Sequence, residues 1–209
     1  MAGASSSSGG RFKYDVFINF RGEDTRRCFV CHLYEALKQR ALDPFIDSEE
    51  LRKGDDLSEL FKAIQDSRLS IVVFSKDYAS SKWCLKELAQ ILECMDRQRQ
   101  IVVPIFYEVD PSHIRNLEES FAEAFAKHES NSKIDKKELE SWKSTLTRAT
   151  SLSGWDSKSK DYRDDTQLIG SIVEDILKKL IHISPSKTDG LIGMDSHMDK
   201  CLKNFCPEF

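Results

Sequence analysis

The stretch LSIVVFSKDYASSKWCLKELAQILECMDRQRQIVVPIFY, Leu69–Tyr107, decides the fold. Leu69–Phe74 is apolar and β-branched without alternation, the composition of a strand buried on both faces of a parallel sheet. Ser75–Lys82 is a polar connection, after which Cys84, Leu88, Ile91 and Met95 recur at helical spacing. Ile101–Tyr107 is a second buried strand, and Pro104, which has no N–H for a ladder, predicts an edge or a bulge there. Upstream, Tyr14–Phe20 (YDVFINF) reads as another buried strand. Asp24 or Thr25 is the predicted cap of a helix whose inner positions are Phe29, Leu33 and Leu37, with Val30 and Ala36 beside them. Leu42–Ile46, with its proline, suits a sheet edge, and Leu57, Leu60, Phe61 and Ile64 mark the next helix. Downstream, Asp110-Pro111-Ser112 is a turn and cap. Leu117, Phe121 and Phe125 predict one helix, and Leu139, Trp142, Leu146 and Ala149 another after a polar break at Asn131–Lys137. Leu152–Trp155 predicts a last short strand, and Leu168, Ile172, Ile176 and Leu180 a strongly amphipathic final helix. Alternating strands and helices give an α/β fold: a five-stranded parallel sheet with helices on both faces, in the flavodoxin-like order 2-1-3-4-5.

The chain has 209 residues, 40% of them hydrophobic and 10% aromatic, which is ordinary for a globular protein. The 31 basic and 35 acidic residues are mixed along the chain for a net charge of -4, a balance that argues against a nucleic-acid or membrane patch as the main function. No apolar run is long enough to span a bilayer. Residues 1–11 are rich in Ser, Gly and Ala with no apolar core and read as a disordered leader, not a secretory signal. The ordered domain is expected over 12–183. Residues 184–209 read as a linker or tail whose pattern fades. The six cysteines are scattered, which suits reduced thiols in the cytosol, with the nucleus as a second compartment. Cys28 and Cys31 spell a C-x-x-C, but inside a helical pattern and with no second pair, so packing or surface cysteine is the reading and no metal site is expected.

Ligands of such sheets sit beyond the carboxyl ends of the strands, where the strand order reverses. Here that place joins the loop Arg21-Gly22-Glu23-Asp24 to the connection that enters the helix at Trp83-Cys84-Leu85-Lys86-Glu87. Trp83 and Glu87 are four residues apart and share a helix face, so an aromatic plate, a carboxylate and an arginine converge on one crevice. No phosphate-cradling glycine motif, H-E-x-x-H or G-x-S-x-G is present. A phospho-receiver domain shares the strand order but wants an aspartate at the end of the third strand, where Phe74 and Ser75 stand.

In order and spacing, YDVFINFRGEDTR (Tyr14–Arg26), HLYEAL (His32–Leu37), the FID…LRKG loop (Phe45–Gly54), Ala63–Leu88, PIFYEVDPSHIR (Pro104–Arg115), ESWKSTL (Glu140–Leu146) and Gly154-Trp155 resemble the plant Toll/interleukin-1 receptor (TIR) domains of nucleotide-binding leucine-rich-repeat immune receptors. LIGMDSHMDKCL (Leu191–Leu202) resembles the linker that precedes the nucleotide-binding domain there. The resemblance implies an enzyme that cleaves NAD+ or NADP+ as substrate, with no tightly bound cofactor, and that signals plant immune cell death on self-association. Glu87 matches the family's catalytic glutamate. Arg21, Gly22, Arg26, Asp47, Arg52, Lys53 and Trp83 match positions around the dinucleotide or in loop-mediated assembly.

Each of these residues also has a plainer reading: Glu87 as a solvated helix carboxylate, Trp83 as core packing, Arg52 and Lys53 as a solvated loop, Asp47 as a turn residue. The family's self-association pair is Ser-His, replaced here by Cys31-His32, and Asn19 stands where members often carry serine. His113, His128, His182 and His197 form no ligand pattern and read as surface residues. Other TIR domains are the expected partners. A non-enzymatic homotypic adaptor is the alternative, and a cyclic-nucleotide synthetase acting on nucleic acid is disfavoured by the acidic charge.

Overall fold

The computed structural model describes residues 12–46, 57–132 and 134–183. The expectations for the leader, for Asp47, Arg52 and Lys53 and for the tail fall outside these residues. Strand β1 (Tyr14–Phe20) buries its last five residues because it lies inside the sheet with helices over both faces. Val16, Ile18 and Phe20 enter one core and Phe17 the other, the period-2 alternation of a strand. Strands β2 (Pro44–Ile46), β3 (Ser67–Phe74), β4 (Ile101–Phe106) and β5 (Trp155–Asp156) complete a five-stranded sheet in the order β2-β1-β3-β4-β5, every pairing parallel. The flavodoxin-like order is therefore the one expected.

The first helix is continuous but not uniform: α1 (Gly22–Thr25) passes through a π-helical stretch, Arg26–Val30, into α2 (Cys31–Gln39). It starts at Gly22, so neither Asp24 nor Thr25 caps it. Asp24 is drawn instead to the loop after β3, where its carboxylate accepts from the Ser75 hydroxyl at 2.6 Å. The helix ends with Ala41 in the left-handed region at φ 58, and the Ala41 and Leu42 amides return to the carbonyls of Lys38 and Leu37. That is a Schellman closure built without glycine. Helices α3 (Leu57–Gln65) and α4 (Lys82–Gln98) cover the face of Phe17, Val72 and Phe74. Helices α5 (Pro111–Asn116), α6 (Ser120–Glu129) and α7 (Lys136–Ala149) extend that layer, while α2 and α8 (Asp165–Ile183) cover the other face. Among the described residues no helix is long and apolar enough to cross a membrane.

Three expectations are corrected. The single helix expected through Leu117, Phe121 and Phe125 is two. Leu117 and Glu119 take positive φ, 53 and 50, which ends α5 and restarts the chain at α6. Leu117 still packs on the core from that turn, so its apolar character mimicked a helical stripe. Pro104 lies in no bulge, since β4 runs in unbroken register from Leu69↔Ile101 to Phe74↔Phe106, and the edge it occupies is only a local one on the β5 side. It is tolerated because β5 is two residues long and pairs only with Ile105 and Phe106. The last strand is Trp155–Asp156, and the expected Leu152 belongs to the turn before it.

That turn brings Gly154 against β4, where a Cβ would lie 2.5 Å from the Pro104 carbonyl oxygen and 2.7 Å from its ring. Both neighbours are stiff, so Gly154→Ala is expected to cost about 1–3 kcal/mol by overpacking. Urea denaturation of parent and variant checks this, and coincident midpoints would show that the turn can back away.

Candidate functional site

Beyond Phe20 and Phe74, the last residues of β1 and β3, the chain leaves the sheet in opposite directions and opens a crevice. One wall is the start of α1. The other is a 3-10 turn, Tyr78–Ser80, followed by α4, whose N-cap Ser81 accepts from the Cys84 amide at 3.3 Å. Asp24 ties the two walls together: besides Ser75, it accepts from the Asp77 amide at 3.1 Å. The Arg21 guanidinium donates to Asp24 at 3.4 Å and to the Asp77 carbonyl at 3.3 Å, and pairs with Glu23. Arg21 thus stands at the switch point, as expected, and is engaged in joining the two loops.

Glu87 is not a solvated helix carboxylate. It is 2% exposed and faces the sheet from the second turn of α4, where Oε2 accepts from Asn19 Nδ2 at 2.7 Å. Asn19 is wholly buried, next to last in β1. Its Oδ1 accepts from the phenol of Tyr78, which is also wholly buried, with its oxygen 3.1 Å from the Cys84 carbonyl. Burial pushes the Tyr78 phenol well above its ordinary pKa, with the charges of Cys84 and Glu87 adding to the effect, so it stays a proton donor. With the phenol proton on Asn19, the amide turns its oxygen toward Tyr78 and its nitrogen toward Glu87.

The other expected residues divide. Trp83 is 38% exposed and so not part of the core; with Ser80, Ser81, Lys82 and Lys86 it lines a cleft of about 430 Å³, and the Lys86 ammonium stands 6.0 Å over its ring. Trp83 therefore lines a cleft that Glu87, turned toward the sheet, does not line, so the single crevice expected for the two is not found although they are one turn apart on α4. Gly22 opens α1. Arg26 lies 5.0 Å over the Phe20 ring, on the side of the sheet away from Asn19, and is not brought to Glu87. Cys31 and His32 are exposed on α2, which packs beside α8.

His128, expected at the surface, is 5% exposed. Its Nε2 lies 2.8 Å from the Ala79 carbonyl, and its ring meets Phe125 and Trp142 edge-on. Its spacing from Phe121 and Phe125 places it on the inner stripe of α6, a signal present in the sequence. His113 is half-buried and His182 exposed. Asn19 and Tyr78 carried no expected role. The available signal was a lone amide in an otherwise apolar buried strand.

Comparison with known proteins agrees with the fold. The family model for the TIR domain matches residues 13–194. The chain is 48% identical over 200 residues to TMV resistance protein N of Nicotiana glutinosa, covering 94% of this chain and 17% of that protein. It is 46% identical over 190 residues to disease resistance protein RPV1 of Vitis rotundifolia, covering 90% of this chain and 13% of that one. The chain thus spans under a fifth of the length of either relative. Among solved structures, the TIR domains of the activated Roq1 resistosome, which directly recognises the effector XopQ, superpose with a TM-score of 0.72 at 45% identity, over 78% of this chain and 99% of that one. The RPS4 and RRS1 TIR heterodimer, at 23% identity and a TM-score of 0.51 over 81% of this chain and 99% of that one, shares the fold.

Proposed function

The chain belongs to the TIR domain family, with plant disease resistance proteins as its relatives, and from that membership we propose that it is a self-association-dependent NAD(P)+ glycohydrolase signalling immune cell death. The observation that carries the proposal is Glu87: a buried carboxylate at the switch point, held by a neutral donor. In the reaction, the bond between ribose C1′ and the nicotinamide nitrogen breaks and its electron pair neutralises the cationic ring, so the leaving group needs no general acid. Positive charge develops on the ribose. A carboxylate in a water-poor site stabilises that oxocarbenium character, as glycosidase carboxylates do. Water then adds at C1′ and loses a proton, giving ADP-ribose; capture by a group of the substrate itself would give a cyclic variant. Trp83 supplies a flat apolar wall.

Self-association is the second part of the proposal. Among the described residues, the cleft at Trp83 and the carboxylate at Glu87 are displaced from one another, so these residues place few groups together on a dinucleotide. A second copy packed against the exposed α2 surface at Cys31 and His32 is the proposed partner, and the 45%-identical Roq1 TIR domains are themselves part of an assembly.

Nicotinamide release from NAD+ and NADP+, followed by chromatography, is expected to rise per molecule as protein concentration rises. Release that stays constant per molecule would remove the assembly requirement. No release from folded, self-associated protein would leave the homotypic adaptor as the function.

A further inference from the structure

The buried carboxylate of Glu87 meets an amide that is itself held from a second side. We propose that Asn19, clamped by Tyr78, is the positioning residue for Glu87, fixing the orientation of its carboxylate and favouring its ionised form. This rests on the glycohydrolase reading for its functional meaning, though not for its geometry.

Asn19 faces the core that holds Phe17, Val72 and Phe74, where an amide is costly unless its polar atoms are bonded. It is bonded at both ends, to two groups that are themselves buried: Nδ2 donates to Glu87 at 2.7 Å and Oδ1 accepts from Tyr78. The three residues come from β1, the turn after β3 and α4, so the clamp closes across the crevice floor. The Tyr78 oxygen also lies 3.1 Å from the Cys84 carbonyl, a second acceptor for its single proton, one helical turn before Glu87. The 3-10 turn carrying Tyr78 is pinned from α6 by the His128 contact to the Ala79 carbonyl. Each link restricts the next, and the end of the chain of contacts is the carboxylate.

The chemistry gives the clamp a direction. An amide N–H carries no titratable proton at working pH and donates only, so it favours the charged form of the carboxylate. If Glu87 were protonated, its O–H would need an acceptor, and the Asn19 amide could supply one only by turning over. Turning would point its NH2 group at the Tyr78 phenol in place of the oxygen that accepts from it. Protonation of Glu87 therefore requires the single Tyr78 proton to leave the Asn19 oxygen for the Cys84 carbonyl, 3.1 Å away. A serine at this position would be shorter and could rotate its single proton elsewhere, whereas the Asn19 amide keeps a donor on Glu87.

The test reads Glu87 directly. Protein of the full sequence is labelled with carboxyl-carbon glutamate, and the Glu87 resonance is assigned by its loss in Glu87→Gln and then titrated. In Asn19→Leu, nearly isosteric and without polar atoms, the Glu87 midpoint is expected to move up by about one to two pH units. The acid limb of nicotinamide release should move the same way, and Asn19→Ser should fall between parent and Asn19→Leu. A Glu87 midpoint in Asn19→Leu that coincides with the parent overturns the proposal. Should Asn19→Leu fail to fold, Tyr78→Phe carries the test: a smaller upward movement is expected, and an unchanged midpoint overturns it. Absence of nicotinamide release from the parent would remove the glycohydrolase reading alone, because the carboxyl titration still decides whether Glu87 is held.

Discussion

Glu87→Gln is expected to lower nicotinamide release by ~10²–10³-fold while leaving the protein folded. The substitution keeps shape and volume, and the new amide oxygen can still accept from Asn19, so that contact survives the loss of the charge. What disappears is the negative charge facing the ribose as it becomes cationic, an interaction made mainly in the transition state. Its loss should therefore fall on kcat and on kcat/KM equally, with little change in KM. Glu87→Ala is a poorer probe, because it opens a void in a site only 2% exposed and leaves Asn19 Nδ2 without its acceptor. Steady-state kinetics beside thermal melts of parent and Glu87→Gln decide the matter. A variant that melts like the parent and cleaves NAD+ at the parent rate would sink the assignment of Glu87.

The strands most easily read were those buried on both faces. β1, β3 and β4 show near-continuous apolar runs because helices cover both sides of the sheet, and such runs survive any error in the helices. The place of the candidate site was legible for a related reason. Once the strand order is known, the switch point follows, and Arg21 and Glu87 fall there without any side-chain geometry.

The clamp on Glu87 was not legible. Asn19 and Glu87 are 68 residues apart and Asn19 and Tyr78 are 59 apart, and periodicity within a window says nothing about a pairing across the sheet. The break between α5 and α6 was hidden differently. Leu117 sits four residues before Phe121, as in a helix, but takes the left-handed conformation because its side chain finds the core from there. Asp24 shows a third kind of miss. As a residue type it suits a helix N-cap, and the tertiary structure used its two oxygens to join Arg21, Ser75 and Asp77 instead.

The second large effect is expected in stability, at the residue where the core meets the site. Phe74 ends β3 with no exposed surface, its ring 4.8 Å from Tyr78 edge-on and stacked 5.6 Å from Phe106. Truncating such a side chain costs about 3–5 kcal/mol, through lost transfer energy and the cavity left behind. In a domain of this size that lowers Tm by roughly 6–20 °C. Ile181→Ser, 64% exposed on α8, should stay within ±0.5 kcal/mol and serves as the control. Phe74→Leu keeps most of the volume and should lie nearer the parent. The cavity in Phe74→Ala opens directly beside the Tyr78 ring, whose phenol holds the Asn19 amide. Below its melting temperature, the alanine variant should therefore lose more nicotinamide release than its folded fraction accounts for, and the leucine variant should not. Melting curves and release rates at one temperature separate the two effects. A loss of release that merely tracks the unfolded fraction would mean that Phe74 supports the sheet and leaves the Tyr78 clamp untouched.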